Sequence, residues 1–199
     1  PCEIVIIAVG VRPNVEVARG TPIKVNQGIV VDGHMRTSVR DIYAAGDVTE
    51  SYDVILDQVR PMPILPRAYK QGEIAGLNMC GLDTLSRGDL SMNAIEIAGV
   101  PTISYGVIEE DPARHEVLLS DEPQGGVYRK LVLDGDVLVG ALFVGAIDRA
   151  GVYGGLIRDR IDVRRFKHLL LHKDFGFIML PPDIRRPRLE SAPVPQGGV

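Results

Sequence analysis

The stretch TSVRDIYAAGDV, Thr37–Val48, combines the pattern of a buried strand with a single acid at its end. The apolar run Ile42–Ala45 predicts a strand, Gly46 ends it, and Asp47 follows directly. In open α/β sheets, ligands bind beyond the carboxyl ends of strands, so this position favours a binding role for Asp47. An ionised carboxylate only accepts hydrogen bonds, which suits the hydroxyls of a sugar alcohol and disfavours phosphate. One alternative stays open, in which Asp47 caps the turn that follows.

Composition excludes several classes of protein. The chain has 199 residues, of which 45% are hydrophobic and 24% charged, with a net charge of −4, as in an ordinary globular protein. Its basic residues are scattered, so we expect no nucleic-acid partner. It has no apolar run of the roughly 18 residues that indicate a membrane span. The two cysteines, Cys2 and Cys80, form no C-x-x-C motif, which favours a reducing, cytoplasmic setting.

The first half of the chain has the pattern of an interrupted α/β domain. We expect a buried strand at Glu3–Val9, then a short extended pair at Ile23–Val25 and Gly28–Val31. A second buried strand is expected at Asp41–Ala45. A loop at Thr49–Pro66 and a helix at Arg67–Cys80 follow. The chain begins at Pro1 with a strand that has no preceding partner. We therefore expect it to be a piece of a longer protein.

From Asp89 the pattern changes to short alternating strands separated by turns, which predicts an antiparallel meander. Asp134-Gly135 between two such runs indicates a hairpin, and helices are expected near Ile147–Arg160 and Val163–His172. The predicted fold is an α/β remnant of a Rossmann-like domain, followed by a small α+β domain with an antiparallel sheet. The expected domain limits are residues 1–88 and 89–182, with a flexible tail at 183–199.

Three segments together resemble the flavin-dependent pyridine nucleotide-disulfide oxidoreductases: IIAVGVRPN, VVDGHMRTS and TSVRDIYAAGDV. In that family the last segment supplies an acid that hydrogen-bonds the ribityl chain of FAD. The resemblance implies this role for Asp47, with Gly46 and Val48 beside it in the same segment. It also implies that Gly10 and Pro13 belong to a second signature, A-x-G-x-x-P-N, where the NAD domain returns to the FAD domain.

The second half resembles the C-terminal domain of the NADH oxidase, nitrite reductase and NADH:rubredoxin reductase group, in NAIEIAGVPTISYG and YRKLVLDGDVLVGALFVG. The resemblance implies a parent protein that passes electrons from NAD(P)H through FAD to an acceptor of unknown identity. The alternative is a non-catalytic module for homodimerisation or for binding an acceptor protein.

The family's dinucleotide folds carry G-x-G-x-x-G turns, and this chain contains no G-x-G. We therefore expect the chain alone to bind neither FAD nor NAD(P)H and to be inactive. The sequence assigns no catalytic residue. It also indicates no metal site, because His168 and His172 have no third ligand and fit a basic helix end. The run Gly151–Leu156 lacks the context of a phosphate loop and predicts a close-packed turn.

Overall fold

A computed structural model describes residues 2–86 and 88–190 of the chain. These residues form two units, the first ending at Ser91 and the second beginning at Met92. The first contains a three-stranded sheet and the second a five-stranded antiparallel sheet. The predicted fold class, mixed α/β followed by α+β, is therefore confirmed. The expected domain limits, residues 1–88 and 89–182, stay a prediction.

The first unit is built on a small mixed sheet and one long helix. Strand β1 (Ile29–Val30) pairs in parallel with β2 (Thr49–Asp53), and β2 pairs antiparallel with β3 (Gln58–Pro61). A short 3₁₀ helix at Glu16–Ala18 precedes them. Helix α1 spans Leu65–Met79.

Helix α1 confirms the helix predicted at Arg67–Cys80. Pro66 lies in its first turn, where a missing N–H costs nothing, and Gly81 follows its end with a φ of 82°. Its buried residues recur with helical spacing and are Arg67, Gln71, Ile74, Ala75 and Asn78. Three of these five are polar, which shapes the site described below.

Two predicted strands of the first unit are wrong. Within Glu3–Val9 the apolar side chains are exposed, with Ile4 at 78% and Val9 at 92%, and the run belongs to neither of the described sheets. Cys2 is likewise exposed. The run Asp41–Ala45 makes a single bridge, Arg36 to Tyr43, and is otherwise irregular.

The predicted loop Thr49–Pro66 is instead largely the β2–β3 hairpin. The Asp53 carboxylate accepts from the N–H groups of Ile55 (2.9 Å) and Leu56 (3.1 Å), and Asp57 adopts a left-handed φ of 52°. The sequence shows turn residues here, but the turn lies inside a hairpin because Asp53 closes it. The extended pair predicted at Ile23–Val25 and Gly28–Val31 is reduced to the Val25–Ile29 bridge and to β1.

The second unit contains five antiparallel strands, in the spatial order β4-β5-β8-β7-β6. The strands are β4 (Met92–Ile97), β5 (Val100–Gly106), β6 (His115–Glu122), β7 (Val127–Asp134) and β8 (Val137–Val144). The predicted hairpin at Asp134-Gly135 joins β7 to β8. The order departs from a simple meander because β8 inserts between β5 and β7.

Helix α2 (Ala150–Arg158) covers one face of this sheet, as predicted for Ile147–Arg160. The run Gly151–Leu156, predicted as a turn, lies inside this helix. The helix predicted at Val163–His172 is wrong, since only Lys167–Leu169 forms a 3₁₀ turn. The residue before this range, Asp162, forms an antiparallel bridge with Val137 of β8, so the chain enters the range in an extended conformation.

An aromatic cluster closes the core of the second unit. The ring of Tyr153 lies 4.7 Å from that of Phe143 and 5.2 Å from that of Phe175, and the ring of Phe166 stacks on Phe175 at 6.3 Å. The Tyr153 hydroxyl donates to the Leu170 carbonyl at 2.6 Å. This bond joins α2 to the segment that follows it.

The flexible tail predicted at 183–199 is wrong for its first part, because helix α3 spans Pro182–Glu190. Two ion pairs secure α3: Arg165 Nη1 lies 2.8 Å from Asp183, and Arg188 Nη2 lies 2.5 Å from Asp159. The proline-rich composition predicted a flexible tail, and the sequence alone does not show that Asp183 and Arg188 have partners. Residues 191–199 lie outside the described residues.

The buried phenol gives a testable dependence on pH. Burial raises the pKa of Tyr153 from 10.0 to about 12. Between these values the unfolded phenol ionises while the folded one stays protonated, so ionisation favours unfolding. We expect Tyr153→Phe to lose about 1–2 kcal/mol near neutral pH with its hydrogen bond, yet to lose stability less steeply than the wild type above pH 10. Urea unfolding across the alkaline range measures this, and parallel slopes in both proteins would contradict it.

Candidate cofactor site

The segment Gly46–Thr49 forms a tight turn with Asp47 at its tip. Gly46 has a φ of 84°, and its carbonyl accepts from the Thr49 N–H at 3.0 Å. A Cβ at Gly46 would lie 3.4 Å from the Cβ of Ala68, so the turn packs on the first turn of α1. Gly46 is buried and Asp47 is exposed. The fold therefore holds the backbone of this turn and leaves the acid in solvent.

The side chain of Gln71 holds both ends of the turn. Its Oε1 accepts from the Gly46 N–H at 2.9 Å and lies 2.9 Å from Thr49 Oγ1. The Thr49 hydroxyl also lies 2.8 Å from the Gly46 carbonyl oxygen, so its one proton is shared between two acceptors. Gln71 is only 1% exposed, and a buried amide oxygen needs such donors.

An ion pair between Arg67 and Asp89 contacts the other end of the Gln71 amide. Arg67 is 4% exposed, and its Nε donates to Asp89 Oδ2 at 2.7 Å. The same carboxylate oxygen accepts from Ser51 Oγ at 2.6 Å and from Gln71 Nε2 at 3.1 Å. Opposite charges at this distance offset the cost of burial only when the remaining donors are also satisfied.

The other donors of Arg67 are satisfied. Nη1 donates to the Met62 carbonyl at 2.8 Å, and Nη2 donates to Ser51 Oγ at 2.7 Å and to Thr49 Oγ1 at 3.1 Å. The cluster of Thr49, Ser51, Arg67, Gln71 and Asp89, which we call the polar cluster, thus joins β2, α1 and the segment before the second unit. A largely buried network in which each member bonds to at least two others favours one arrangement of its members.

Within the described residues, the Asp47 carboxylate makes no hydrogen bond or ion pair. The turn closes through Thr49 and Gly46, so the alternative in which Asp47 caps it lacks the hydrogen bond that a cap requires. An exposed carboxylate with no protein partner among the described residues can accept hydrogen bonds from ligand hydroxyls.

Of the other predicted site residues, Val48 lies in this turn and packs on the hydrophobic core of the first unit. Pro13 and Gly10 lie apart from it in their contacts. Pro13 lines a cleft of about 760 Å³ with Arg12, Arg60 and other residues, and this lining does not include residues 46–48. Gly10 is exposed with a φ of 106°. The structure thus brings together Gly46, Asp47 and Val48 only.

Sequence reasoning missed Arg67, Gln71 and Asp89. A signal for the first two was present, because they lie four residues apart on the buried face of an amphipathic helix, where a polar side chain must find partners. No local signal identified Asp89, whose partners are 18 to 38 residues away in the sequence.

The described residues contain no group of three metal-ligating side chains, and His168 and His172 lie in and after a 3₁₀ turn. Both Cys2 and Cys80 are exposed thiols. None of the described helices combines the length and the apolar content that crossing a membrane requires.

Two family models match the chain, one in the first unit and one almost entirely in the second. Residues 1–72 match the model described as pyridine nucleotide-disulphide oxidoreductase, and residues 91–161 match the C-terminal domain of rubredoxin NAD+ reductase. The turn that carries Asp47 lies within the first match and the five-stranded sheet within the second. The chain belongs to the pyridine nucleotide-disulphide oxidoreductase family.

Particular relatives agree with this assignment. The chain is 30% identical over 162 residues to a nitrite reductase [NAD(P)H] of Bacillus subtilis, covering 81% of this chain and 19% of that protein. It is 31% identical over 193 residues to the assimilatory nitrate reductase electron transfer subunit of the same organism, covering 96% and 23%. The chain thus spans about a fifth to a quarter of the length of these relatives.

Solved structures share the fold. The NADH:rubredoxin oxidoreductase of Clostridium acetobutylicum superimposes with a TM-score of 0.64 at 31% identity, covering 80% of this chain and 40% of that one.

The turn geometry predicts a cost for any side chain at Gly46. Gly46→Ala places a Cβ in the left-handed region and against Ala68, and we expect a loss of about 1–2 kcal/mol in the free energy of unfolding. The matched control is Gly72→Ala in α1, where a Cβ meets nothing within 4 Å and helix propensity adds up to about 1 kcal/mol. Urea unfolding of the chain compares them. Equal effects of the two substitutions would show that the turn is not held as described.

Proposed function

We propose that this chain is part of an FAD-dependent NAD(P)H oxidoreductase and that Asp47 binds the ribityl hydroxyls of FAD. The observation that carries the proposal is an exposed carboxylate without a protein partner among the described residues, presented by a turn whose two ends, Gly46 and Thr49, are hydrogen-bonded to Gln71. The family of the chain supports the same reading.

The residues present fit a ribityl chain better than a phosphate. Asp47 accepts hydrogen bonds and repels anions, so it selects hydroxyl groups. Gly46 lets the turn pack closely on Ala68 of α1, and its N–H is already bonded to Gln71. The turn is therefore ordered before a ligand arrives, which lowers the entropy that binding costs.

Bound FAD would supply the redox chemistry, taking electrons from NAD(P)H and passing them to an acceptor. The residues of this chain bind and orient that cofactor, and none of those described is assigned to NAD(P)H. The names of its relatives differ in the acceptor. The exposed thiols Cys2 and Cys80 are consistent with a cytoplasmic protein.

We propose further that the 199-residue chain alone retains no FAD and has no NAD(P)H oxidase activity. It has no G-x-G turn with which this family holds the pyrophosphate of a dinucleotide. A yellow purified chain with one flavin per polypeptide would contradict this.

In the complete FAD-binding protein, Asp47→Ala should weaken FAD retention by about 1.5–3 kcal/mol, the usual contribution of a hydrogen bond to a charged group. The dissociation constant for FAD, measured by flavin fluorescence, should rise by roughly 10- to 150-fold. Binding of lumiflavin, which lacks the ribityl hydroxyls, should not change.

The control for this experiment is Glu16→Ala, which removes another exposed acid of the same unit. It should leave FAD affinity unchanged. If Asp47→Ala leaves FAD affinity unchanged and instead lowers the stability of the apoprotein, Asp47 serves the turn and not the cofactor.

A second function, as an interaction module, is favoured by one observation on the second unit. The edge strand β4 and the start of β5 expose apolar side chains, with Ile97 at 62%, Ile95 at 44% and Val100 at 40%. In β4, Ile95 and Ile97 share one face, and Val100 pairs with Ile97 across the turn. An exposed apolar edge is a site for pairing with another chain, which is consistent with a homodimer or an acceptor-protein complex.

Replacing both Ile95 and Ile97 by lysine should make the chain monomeric if this edge forms a homodimer. Sedimentation velocity measures the change in mass. Folding should be kept, because both side chains already face solvent. Unchanged self-association in the double variant would exclude the edge as a homodimer interface.

A further inference from the structure

We propose that Gln71 is a positioning residue for the Asp47 turn and that Asp89 fixes which way the Gln71 amide points. The relevance of this arrangement to FAD rests on the proposed function above. The arrangement itself rests only on contacts among described residues.

The two ends of the Gln71 amide face chemically opposite surroundings. Oε1 faces donors, the Gly46 N–H and the Thr49 hydroxyl, both at 2.9 Å. Nε2 faces acceptors, Ser51 Oγ and Asp89 Oδ2, both at 3.1 Å. Rotating the amide by half a turn would set an NH₂ group against the Gly46 N–H and a carbonyl oxygen against the Asp89 carboxylate.

The Asp89 carboxylate favours one orientation at the Nε2 end of the amide, as the Gly46 N–H does at the Oε1 end. A hydroxyl such as Ser51 can donate or accept, so alone it would tolerate either orientation of the amide. An ionised Asp89 can only accept, so it holds Nε2 on its side and leaves Oε1 for Gly46. Arg67, whose Nε lies 2.7 Å from the same oxygen, keeps that charge in place in the buried cluster.

Asp89 belongs to the segment that leads into the second unit. Its N–H donates to the Tyr52 carbonyl at 2.9 Å, and its carbonyl accepts from the Val54 N–H at 3.1 Å, so its backbone is docked on β2. Met92, the first residue of the second unit, follows three positions later. Asp89 orients Gln71, and Gln71 holds the Asp47 turn. The order of this turn thus depends on the segment around Asp89 remaining docked on β2.

Amide hydrogen exchange of the 199-residue chain, followed by NMR, tests the role of Gln71. The readout, which we call the Gly46 ratio, is the exchange rate of the Gly46 amide divided by that of the Ile74 amide. Ile74 is a buried position in α1. Gln71→Leu removes the acceptor, and Gly46 should exchange at least about tenfold faster relative to Ile74, as expected for loss of one buried hydrogen bond.

Two variants separate positioning from stability. Asn78→Leu removes another buried amide of α1, one that bonds to the Ile74, His34 and Thr84 carbonyls. It should lower the unfolding midpoint and leave the Gly46 ratio unchanged. Gln71→Glu keeps an acceptor for Gly46 but faces Asp89 with a second carboxylate. It should also lower the midpoint, while the Gly46 ratio stays within about threefold of the wild type.

Asp89→Asn tests the second half of the proposal. It removes the charge that orients the amide, so the Gly46 ratio should rise by at least about threefold. If this variant does not fold, NOE contacts of the Gln71 Nε2 protons in the wild type serve instead: contacts to Ser51 support the stated orientation, and contacts to the Gly46 N–H contradict it. An unchanged ratio in Asp89→Asn, or Nε2 contacts to the Gly46 N–H, would overturn the role of Asp89.

The outcomes distinguish this inference from the proposed function. An unchanged Gly46 ratio in Gln71→Leu overturns the positioning role, whatever FAD does. A raised ratio, together with unchanged FAD affinity of Asp47→Ala in the complete protein, leaves the positioning role standing and removes the flavin role of Asp47.

Discussion

The first unit depends on a charge pair that is largely shielded from water, with the Arg67 side chain 2% and the Asp89 side chain 11% exposed. The pair is tolerated there because all three guanidinium nitrogens of Arg67 and the Asp89 Oδ2 have hydrogen-bond partners. The pair recruits Ser51, Thr49 and Gln71, and the last two reach the turn that carries Asp47. The conformation of a turn at the surface is thus determined by charges in the interior.

If Asp47 binds a cofactor as proposed, this arrangement separates two requirements that its turn must meet. The backbone has to be held in one conformation, and the side chain that meets the ligand has to keep its hydrogen-bonding capacity. Here Gly46 and Thr49 satisfy the first requirement through buried partners, while Asp47 makes no bond within the described residues. A carboxylate that also capped its own turn would have to break that bond to receive a ligand.

The sequence predicted features that are determined locally and failed where they depend on distant partners. Helix α1 and the β7–β8 hairpin were predictable from Pro66, Gly81 and Asp134-Gly135, which act through their own backbone conformations. Glu3–Val9 has the composition of a strand but lacks a described partner to pair with it. Asp47 was predicted as a site residue because its motif is contiguous, whereas Asp89 was not, because its contacts form only when β2 and α1 meet.

The central position of β8 has a consequence for how the second unit is made. The strands β4 and β5 form one hairpin and β6 and β7 form another, and β8 pairs with β5 on one side and with β7 on the other. During synthesis both hairpins leave the ribosome before the strand that joins them, so each carries an open edge until Val144 has emerged. The five-stranded sheet becomes one piece only when its last strand is inserted, and a chain that stops before β8 would release two unjoined hairpins.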